Sequence, residues 1–237
     1  MKPKTKALAM RLSTEPLLDQ FLLVGGTALS LYLNHRLSED LDFATTNKTL
    51  PKTDISDLLK RLEDMGSVIE NILPVAAQQD AINEGVDIED YQQDWLIDGV
   101  KLTFFTLEKE NGRDKLAADH GKAWKNKLRL ASLDTLFVTK TLVLTDRHAM
   151  RDNFDMHALM SQEGYSYNDV LDAYKTFRPY ASLKISENRL LSKDYPLTDP
   201  GLEGLTKKSE HEIVENIHNF FFELIAQHKR DTKKIEH

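Results

Sequence analysis

Two aspartates separated by one residue, Asp40 and Asp42, are the first candidates for chemistry in this sequence. Leu41 and Phe43 alternate with them, which predicts a strand whose carboxylates share one face while the apolar side chains enter the core. Carboxylates held that close repel each other, and Mg²⁺ or Mn²⁺ bound together with phosphates relieves the repulsion. The pair therefore predicts a metal site, although two solvent-facing aspartates at a strand end give the same pattern.

The dipeptide Gly25-Gly26 separates an apolar segment, Phe21 to Val24, from a helical pattern that starts at Thr27. Glycines at such a junction let the backbone approach a ligand closely, and the amides of a helix start attract an anion such as a triphosphate. The same dipeptide is also an ordinary turn. Asp40 lies fourteen residues after Gly26, which leaves room for one helix and a return, so both features can face a common cleft.

Three cations in the second half of the chain, Lys140, Arg147 and Arg151, recur at helical spacing. In one continuous helix from Leu133 to Phe154 they would fall within about 40 degrees of one another. Apolar residues flank that face, so the cations are partly desolvated and need an anionic partner. The partner is either internal, such as Asp155 or the aspartate pair above, or a nucleotide triphosphate.

The elements that position these residues follow from hydrophobic periodicity. Asp98-Gly99 predicts a tight hairpin between Trp95–Ile97 and Val100–Phe105. A capping box, Ser209 with Glu212, is expected to open the last helix. The other predicted segments of the first half are helices over Ala7 to Leu18, Thr27 to Asn34 and Asp54 to Met65, with strands over Phe21 to Val24 and Leu41 to Phe43. From Ser132 the pattern is helical, over Leu133 to Leu144, Arg151 to Met160, Tyr167 to Phe177 and a final helix whose core stripe is Ile213, Ile217, Phe220, Phe221, Leu224 and Ile225.

Composition narrows the class of protein. The 237 residues contain no cysteine, which excludes disulfides, a thiolate nucleophile and a cysteine-rich zinc site, and fits a reducing compartment such as the cytoplasm. The most apolar stretch is too short to span a bilayer. His148 and His157 lack the spacing that would place two imidazoles on one helical face for zinc.

The net charge of -7 argues against a protein that coats nucleic acid through bulk positive charge. An RNA contact would need a local patch. The best candidate is the basic segment, which we define as Lys115, Lys122, Lys125, Lys127 and Arg129; a solvated surface is the alternative.

The segment GGTALSLYLNHRLSEDLDF, residues 25–43, resembles the Gly-Gly, then Arg-x-Ser-x-Asp-x-Asp-Phe signature of the nucleotidyltransferase superfamily, specifically of the AbiEii/AbiGii toxin family of bacterial toxin-antitoxin and phage-defence systems. A second segment, ASLDTLFVTKTLVLTDRHAMRDNFDMHAL, residues 131–159, is similar to the later motif of that family. The resemblance implies nucleotide contacts at Gly25, Gly26, Thr27, Arg36, Ser38, Lys140, Arg147, Arg151 and Asp152, metal ligands at Asp40 and Asp42, catalytic roles for Asp40, Asp42 and Lys140, and Asp155 as a further member of the later motif.

The sequence departs from this superfamily at one position. A third carboxylate usually comes from a neighbouring strand, completes the metal site and takes the proton of the attacking hydroxyl. The matching strand is Val100 to Phe105, and Thr103 stands where the acid is expected. Asp98 or Glu108 would substitute for it in a different register.

These observations predict an α/β (α+β) fold with a nucleotidyltransferase-like mixed sheet and flanking helices over residues 1–130. A helical domain over residues 131–237 is expected to complete the nucleotide cleft. The resemblance implies a nucleotidyltransferase dependent on Mg²⁺ or Mn²⁺ that moves a nucleoside monophosphate from an NTP to a hydroxyl of RNA, such as tRNA, or of protein, as a toxin with a cognate antitoxin. The alternative is an impaired enzyme that serves as a nucleotide- or protein-binding module.

Overall fold

The computed structural model describes residues 1–107, 109–195 and 210–235. The chain divides into two compact units. Unit 1 comprises Met1–Tyr32 and Ser38–Leu136, and unit 2 comprises Leu33–Leu37 and Phe137–His237. The expected division at residue 130 places Leu33–Leu37 in the first domain, whereas their contacts assign them to the second unit.

Unit 1 is built on a seven-stranded mixed sheet, in the order β3-β4-β5-β2-β1-β7-β6. The strands are β1 (Leu22–Val24), β2 (Leu41–Thr45), β3 (Ile69–Asn71), β4 (Gln92–Ile97), β5 (Val100–Thr106), β6 (Lys122–Lys125) and β7 (Leu128–Leu130). Two pairs are parallel, β2 with β5 and β1 with β7, and the others are antiparallel. The predicted mixed α/β class is confirmed.

Helices flank the sheet in unit 1 and make up the described part of unit 2. They are α1 (Pro3–Leu12), α2 (Gly25–Leu33), α3 (Lys52–Asp64), α4 (Val75–Asn83), α5 (Glu110–Ala118), α6 (Leu133–Val143), α7 (Met150–Glu163), α8 (Tyr167–Phe177), α9 (Leu183–Leu190) and α10 (Glu210–Ile235), with short 3₁₀ helices at Pro16–Gln20 and Ile88–Asp90. The helix predicted over Ala7 to Leu18 is confirmed only as far as Leu12, because Pro16 starts a separate 3₁₀ turn.

The core of unit 1 lies beneath the central strands. Phe104 on β5 contacts Phe21 at 5.0 Å and Phe43 at 5.7 Å between ring centroids. Leu23, Leu41 and these three rings are at most 3% exposed. Because β1, β2 and β5 pack these apolar side chains inward, their polar residues are held at fixed positions along the strands.

The predicted hairpin is confirmed. Asp98 and Gly99 both have positive φ, +52° and +80°, as a two-residue hairpin turn of the primed type requires. The turn sets the register of β4 against β5, starting from Ile97 opposite Val100.

The separate helices predicted over Leu133 to Leu144 and Arg151 to Met160 are confirmed, so the single continuous helix that would align Lys140, Arg147 and Arg151 does not form. The helix α6 ends at Val143, and α7 begins at Met150. Two arginines that follow later in the chain cap the end of α6. Arg178 Nη1 donates to the carbonyl of Leu142 at 3.1 Å, and Arg189 Nη1 donates to the carbonyl of Leu144 at 2.6 Å. Carbonyls that a helix end leaves without partners are thereby satisfied, which stabilises the break.

In unit 2, α10 packs against α7, α8 and α9. Ile213, Ile217, Phe221 and Ile225 are buried as predicted, whereas Phe220 and Leu224 of the same stripe are half-buried. The predicted capping box at Ser209 lies outside the described residues. Among the helices that are described, none is both long enough and apolar enough to cross a membrane.

Candidate active site

Gly25 begins α2 directly after β1 and faces the carboxylate of Asp42 on the neighbouring strand β2. Its φ is +69°, and a Cβ atom at this position would lie 2.5 Å from Asp42 Oδ2. Both facts demand glycine, because positive φ is strained for other residues and the carboxylate fills the space of a side chain. The start of α2 thus places backbone amides beside an acidic side chain.

Two hydroxyls fix the chain on the other side of this junction. Thr27 Oγ1 donates to the carbonyl oxygen of Asp40 at 2.5 Å and lies 2.8 Å from Ser38 Oγ. A hydroxyl has one hydrogen, so Thr27 accepts from Ser38. Both residues are buried. In the structure, their side chains therefore connect α2 to the backbone that leads into β2, and their predicted contacts with nucleotide stay a prediction.

Asp42 lies on β2, and Asp40 lies immediately before that strand. The strand thus begins one residue after Asp40, and the prediction that the two carboxylates share a metal site stays a prediction. Among the described residues, no group of three or more His, Asp or Glu side chains is arranged to hold a metal ion. Two carboxylates suit a divalent cation whose other positions are filled by phosphate and water.

The residues opposite Asp42 form a polar row across three strands. Asp42 is the register partner of Thr103 on β5, and Thr103 is the partner of Asp94 on β4. Register partners project from the same face of a sheet. Thr103 Oγ1 donates to Asp94 Oδ1 at 2.7 Å, and both residues are buried.

Sequence reasoning missed Asp94, although the predicted hairpin contained the signal. A two-residue turn at Asp98-Gly99 pairs Ile97 with Val100, and counting three residues along each strand pairs Asp94 with Thr103. The two acids that were considered are placed differently. Asp98 lies in the turn, where it accepts from the amide of Val68 at 2.9 Å, and Glu108 is outside the described residues.

A second polar group, the ion cluster of unit 2, is formed by His35, Arg36, Lys140, Arg147, Asp152 and Asp155. Asp155 is fully buried and lies 2.6 Å from Lys140 Nζ. Arg36 donates to both of its oxygens, at 2.5 and 2.8 Å, and His35 Nε2 lies 2.7 Å from Oδ1.

Asp152 completes the ion cluster. Lys140 Nζ lies 2.8 Å from its Oδ1, and Arg147 donates to both oxygens at 2.7 and 2.9 Å. Asp152 is fully buried, whereas the side chain of Arg147 is 48% exposed. Three cations, Arg36, Lys140 and Arg147, thus face two carboxylates.

Burial alone would raise the pKa of both aspartates in the ion cluster. The charge of Lys140 and the hydrogen bonds from Arg36 and His35 outweigh it at Asp155 and hold its pKa well below the usual range. At Asp152, the charges of Lys140 and Arg147 also lower the pKa. Both carboxylates are therefore ionised at neutral pH, held by their partners.

The sequence left open whether these cations pair internally or with a nucleotide. In the structure, Lys140 and Arg147 lie on separate segments, and both form ion pairs with Asp152. Arg151 lies in the first turn of α7 and is half-buried. The proposed contacts of these residues with nucleotide remain predictions.

The basic segment has partners of several kinds in unit 1. Lys127 forms an ion pair with Asp19, and Arg129 donates to the carbonyl of Gly121 at 3.1 Å. Lys122 lies over the ring of Tyr32, 5.1 Å from its centroid. Lys115 and Lys122 line a cavity of about 450 Å³ together with Asp119, whose carboxylate accepts from the amide of Ser132 at 2.8 Å.

Comparison with solved structures defines the class of protein. JHP933 from Helicobacter pylori matches with a TM-score of 0.54 and 20% identity over 100% of this chain and 98% of that protein. MenT4, a nucleotidyltransferase toxin from Mycobacterium tuberculosis H37Rv, matches with a TM-score of 0.53 and 11% identity over 95% and 86%. Together with the junction at Gly25 and Asp42, they define a nucleotidyltransferase-like α/β fold.

The family follows from the sequence profile described as nucleotidyl transferase AbiEii toxin, type IV toxin-antitoxin system, which matches residues 6–234. The chain belongs to this family, and the predicted resemblance is confirmed. No curated protein sequence matches the chain.

Proposed function

We propose that this protein transfers a nucleoside monophosphate from an NTP to a hydroxyl of RNA, such as tRNA, or of a protein, with release of pyrophosphate. The observation that carries the proposal is the contact of Gly25 with Asp42, which places the amides of a helix start beside a carboxylate. Such amides bind phosphate, and a carboxylate beside them can hold the cation that accompanies a nucleotide. Family membership supports the same reaction type.

Asp42 and Asp40 would hold Mg²⁺ or Mn²⁺, which supplies charge stabilisation to the phosphates when bound. The backbone at Gly25 and Gly26 would orient the triphosphate at the start of α2. Thr27 and Ser38 keep the Asp40 carbonyl beside that helix, so the distance between the aspartates and the helix amides is fixed. A preorganised site of this kind lowers the cost of reaching the transition state.

By family, the biological setting is a toxin-antitoxin system, and a cognate antitoxin is the proposed partner. A cytoplasmic location, where NTPs and tRNA are available, is part of the same proposal.

The second candidate function is a binding module without catalytic activity. It is favoured by Thr103, which lies opposite Asp42 where a third acid was expected. This candidate predicts nucleotide binding without transfer.

One experiment tests both candidates. The protein is incubated with each α-labelled NTP, Mg²⁺ or Mn²⁺, and total cellular RNA and protein, and the labelled macromolecule is identified. We expect label on one class of acceptor, lost in Asp42→Asn and retained in Asp64→Asn, a control on the exposed surface of α3. Binding without label in the wild type would establish the binding module, and labelling by Asp42→Asn equal to wild type would refute the assigned site.

A further inference from the structure

The hydrogen bond between Thr103 and Asp94 has a fixed direction. Thr103 Oγ1 donates to Asp94 Oδ1 at 2.7 Å, and the carboxylate oxygen accepts. Thr103 is 7% exposed and Asp94 is 4% exposed, so water does not compete freely for either group. A buried bond of this kind holds the hydroxyl in one orientation.

The other oxygen of Asp94 is also engaged. Gln92 Nε2 donates to Asp94 Oδ2 at 2.9 Å, and Lys101 Nζ lies 3.8 Å from the same oxygen. Donors thus hold both sides of the carboxylate. Asp94 itself lies two strands from Asp42, since Thr103 on β5 stands between them. Asp94 is therefore placed to act through Thr103.

The hydroxyl of Thr103 has a single hydrogen, which it donates in the hydrogen bond to Asp94. The hydroxyl oxygen keeps its lone pairs, and it lies on the same face of the sheet as Asp42. Neighbouring strands are about 4.8 Å apart, so the register partners Asp42 and Thr103 lie side by side. A hydroxyl that is held as an acceptor offers a neutral oxygen ligand of the kind that Mg²⁺ and Mn²⁺ accept.

We propose that Thr103 supplies a third oxygen donor toward a divalent cation at Asp42, and that Asp94 is the positioning residue that orients the hydroxyl for this role. The inference rests on the proposed function, because it requires a cation at Asp42. Thr103 and Asp94 together then occupy the place where a single acid was expected from the sequence.

An amide at position 94 tests the direction of the bond. In Asp94→Asn, the ammonium of Lys101 and the amide of Gln92 favour the new carbonyl oxygen on their side. The new NH₂ group then points at Thr103 and donates to it. The hydroxyl must turn its own hydrogen away from position 94, so it no longer presents lone pairs alone to a cation.

The experiment measures Mn²⁺ binding from the electron paramagnetic resonance signal of the free ion, with Mn²⁺ alone as the probe. Relative to wild type, we expect Thr103→Val to weaken binding by at least roughly 10-fold, since losing an oxygen ligand should cost no less than losing a group that orients one. Thr103→Ser keeps the hydroxyl and should bind within about 2-fold of wild type. Circular dichroism establishes that each variant is folded at the temperature used.

The double variant is decisive for Asp94. We expect Asp94→Asn to weaken Mn²⁺ binding as Thr103→Val does, and the double variant to bind no more weakly than Thr103→Val, because both changes remove one effect. Wild-type affinity in Thr103→Val, or losses that multiply in the double variant, would overturn the inference.

Asp42→Asn separates this inference from the proposed function. If Asp42→Asn abolishes Mn²⁺ binding while Thr103→Val retains it, only the role of Thr103 and Asp94 fails. If Asp42→Asn binds Mn²⁺ as wild type does, the metal site of the proposed function fails, and the inference fails with it.

Discussion

At the scale of single residues, Gly25 is constrained twice. Its positive φ requires a residue without a Cβ atom, and the carboxylate of Asp42 occupies the space where that atom would lie. Gly66 has only the first of these constraints. Its φ is +89°, and no atom lies within 4 Å of the place where a Cβ atom would be. The comparison of the two glycines therefore isolates the contact with Asp42.

Gly25→Ala is expected to destabilise the protein more than Gly66→Ala. The backbone strain in each variant costs about 1 to 2 kcal/mol, and only Gly25→Ala adds the clash with Asp42 Oδ2. Urea unfolding of both variants measures the difference. Equal losses of stability would show that the side chain of Asp42 moves away from position 25 at no cost in free energy of unfolding.

Lys140 is the second residue whose role can be tested alone. Its ammonium lies between the buried carboxylates of Asp152 and Asp155, at 2.8 and 2.6 Å. Removal of one partner from a buried ion group leaves an uncompensated charge.

We therefore expect Lys140→Met to lower the free energy of unfolding by about 3 to 5 kcal/mol. Chemical denaturation in the absence of nucleotide measures this loss, and calorimetric titration with an NTP shows whether affinity also falls. Lys184→Met, on the exposed face of α9, is the control. Unchanged stability would mean that Arg36 and Arg147 compensate both aspartates without Lys140.

At the scale of elements, the break between α6 and α7 decides where the cations of the ion cluster lie. Residues 144–149 leave the helix, and the carbonyls of Leu144 and Arg147 accept from Arg189 Nη1 at 2.6 and 3.1 Å. The break places Arg147 on a connecting segment, from which it reaches Asp152 on α7.

Arg189→Met is expected to destabilise unit 2 by about 1 kcal/mol, the cost of leaving the part-buried carbonyl of Leu144 without its donor. Lys184→Met on the same helix again serves as the control. Thermal unfolding followed by circular dichroism measures both variants. A loss no larger than that of Lys184→Met would show that water replaces the guanidinium at these carbonyls.

The hairpin and the break also show how far the sequence alone predicts this structure. Asp98-Gly99 is a local signal, so the turn was predicted and its register could have located Asp94. The junction of strand, glycines and helix at Gly25 is likewise encoded locally. The helices on either side of the break after Val143 were also predicted, but the contacts of Arg178 and Arg189 that stabilise the break join residues distant in sequence, and no local pattern reports such contacts. The partners of Lys140 were left open for the same reason.

At the scale of the whole molecule, the buried aspartates couple stability to pH. The pKa values of Asp152 and Asp155 are lowered in the folded protein, so the unfolded chain binds more protons in acid. Their contribution is present in full above the ordinary aspartate pKa near 3.8. It is lost as pH falls below that value toward the lower pKa values of the folded state.

We expect the urea midpoint of wild type to fall steeply as the pH decreases below about 4. Asp155→Asn should be less stable than wild type at pH 7, because Arg36 and Lys140 lose the negative charge with which they pair. Its urea midpoint should decrease less steeply in acid. Parallel pH dependence in the two proteins would assign the acid sensitivity to other carboxylates.

The row of Asp42, Thr103 and Asp94 also has a consequence for the order of folding. The strands β2 and β5 pair in parallel, although residues 46–99 separate them along the chain. Parallel pairing across so long a segment forms slowly, because the chain must close a large loop before the contacts stabilise it. During synthesis, Gly25 and Asp42 leave the ribosome well before β5 exists. A nascent chain therefore has no complete site until residue 106 has emerged and β5 has docked beside β2.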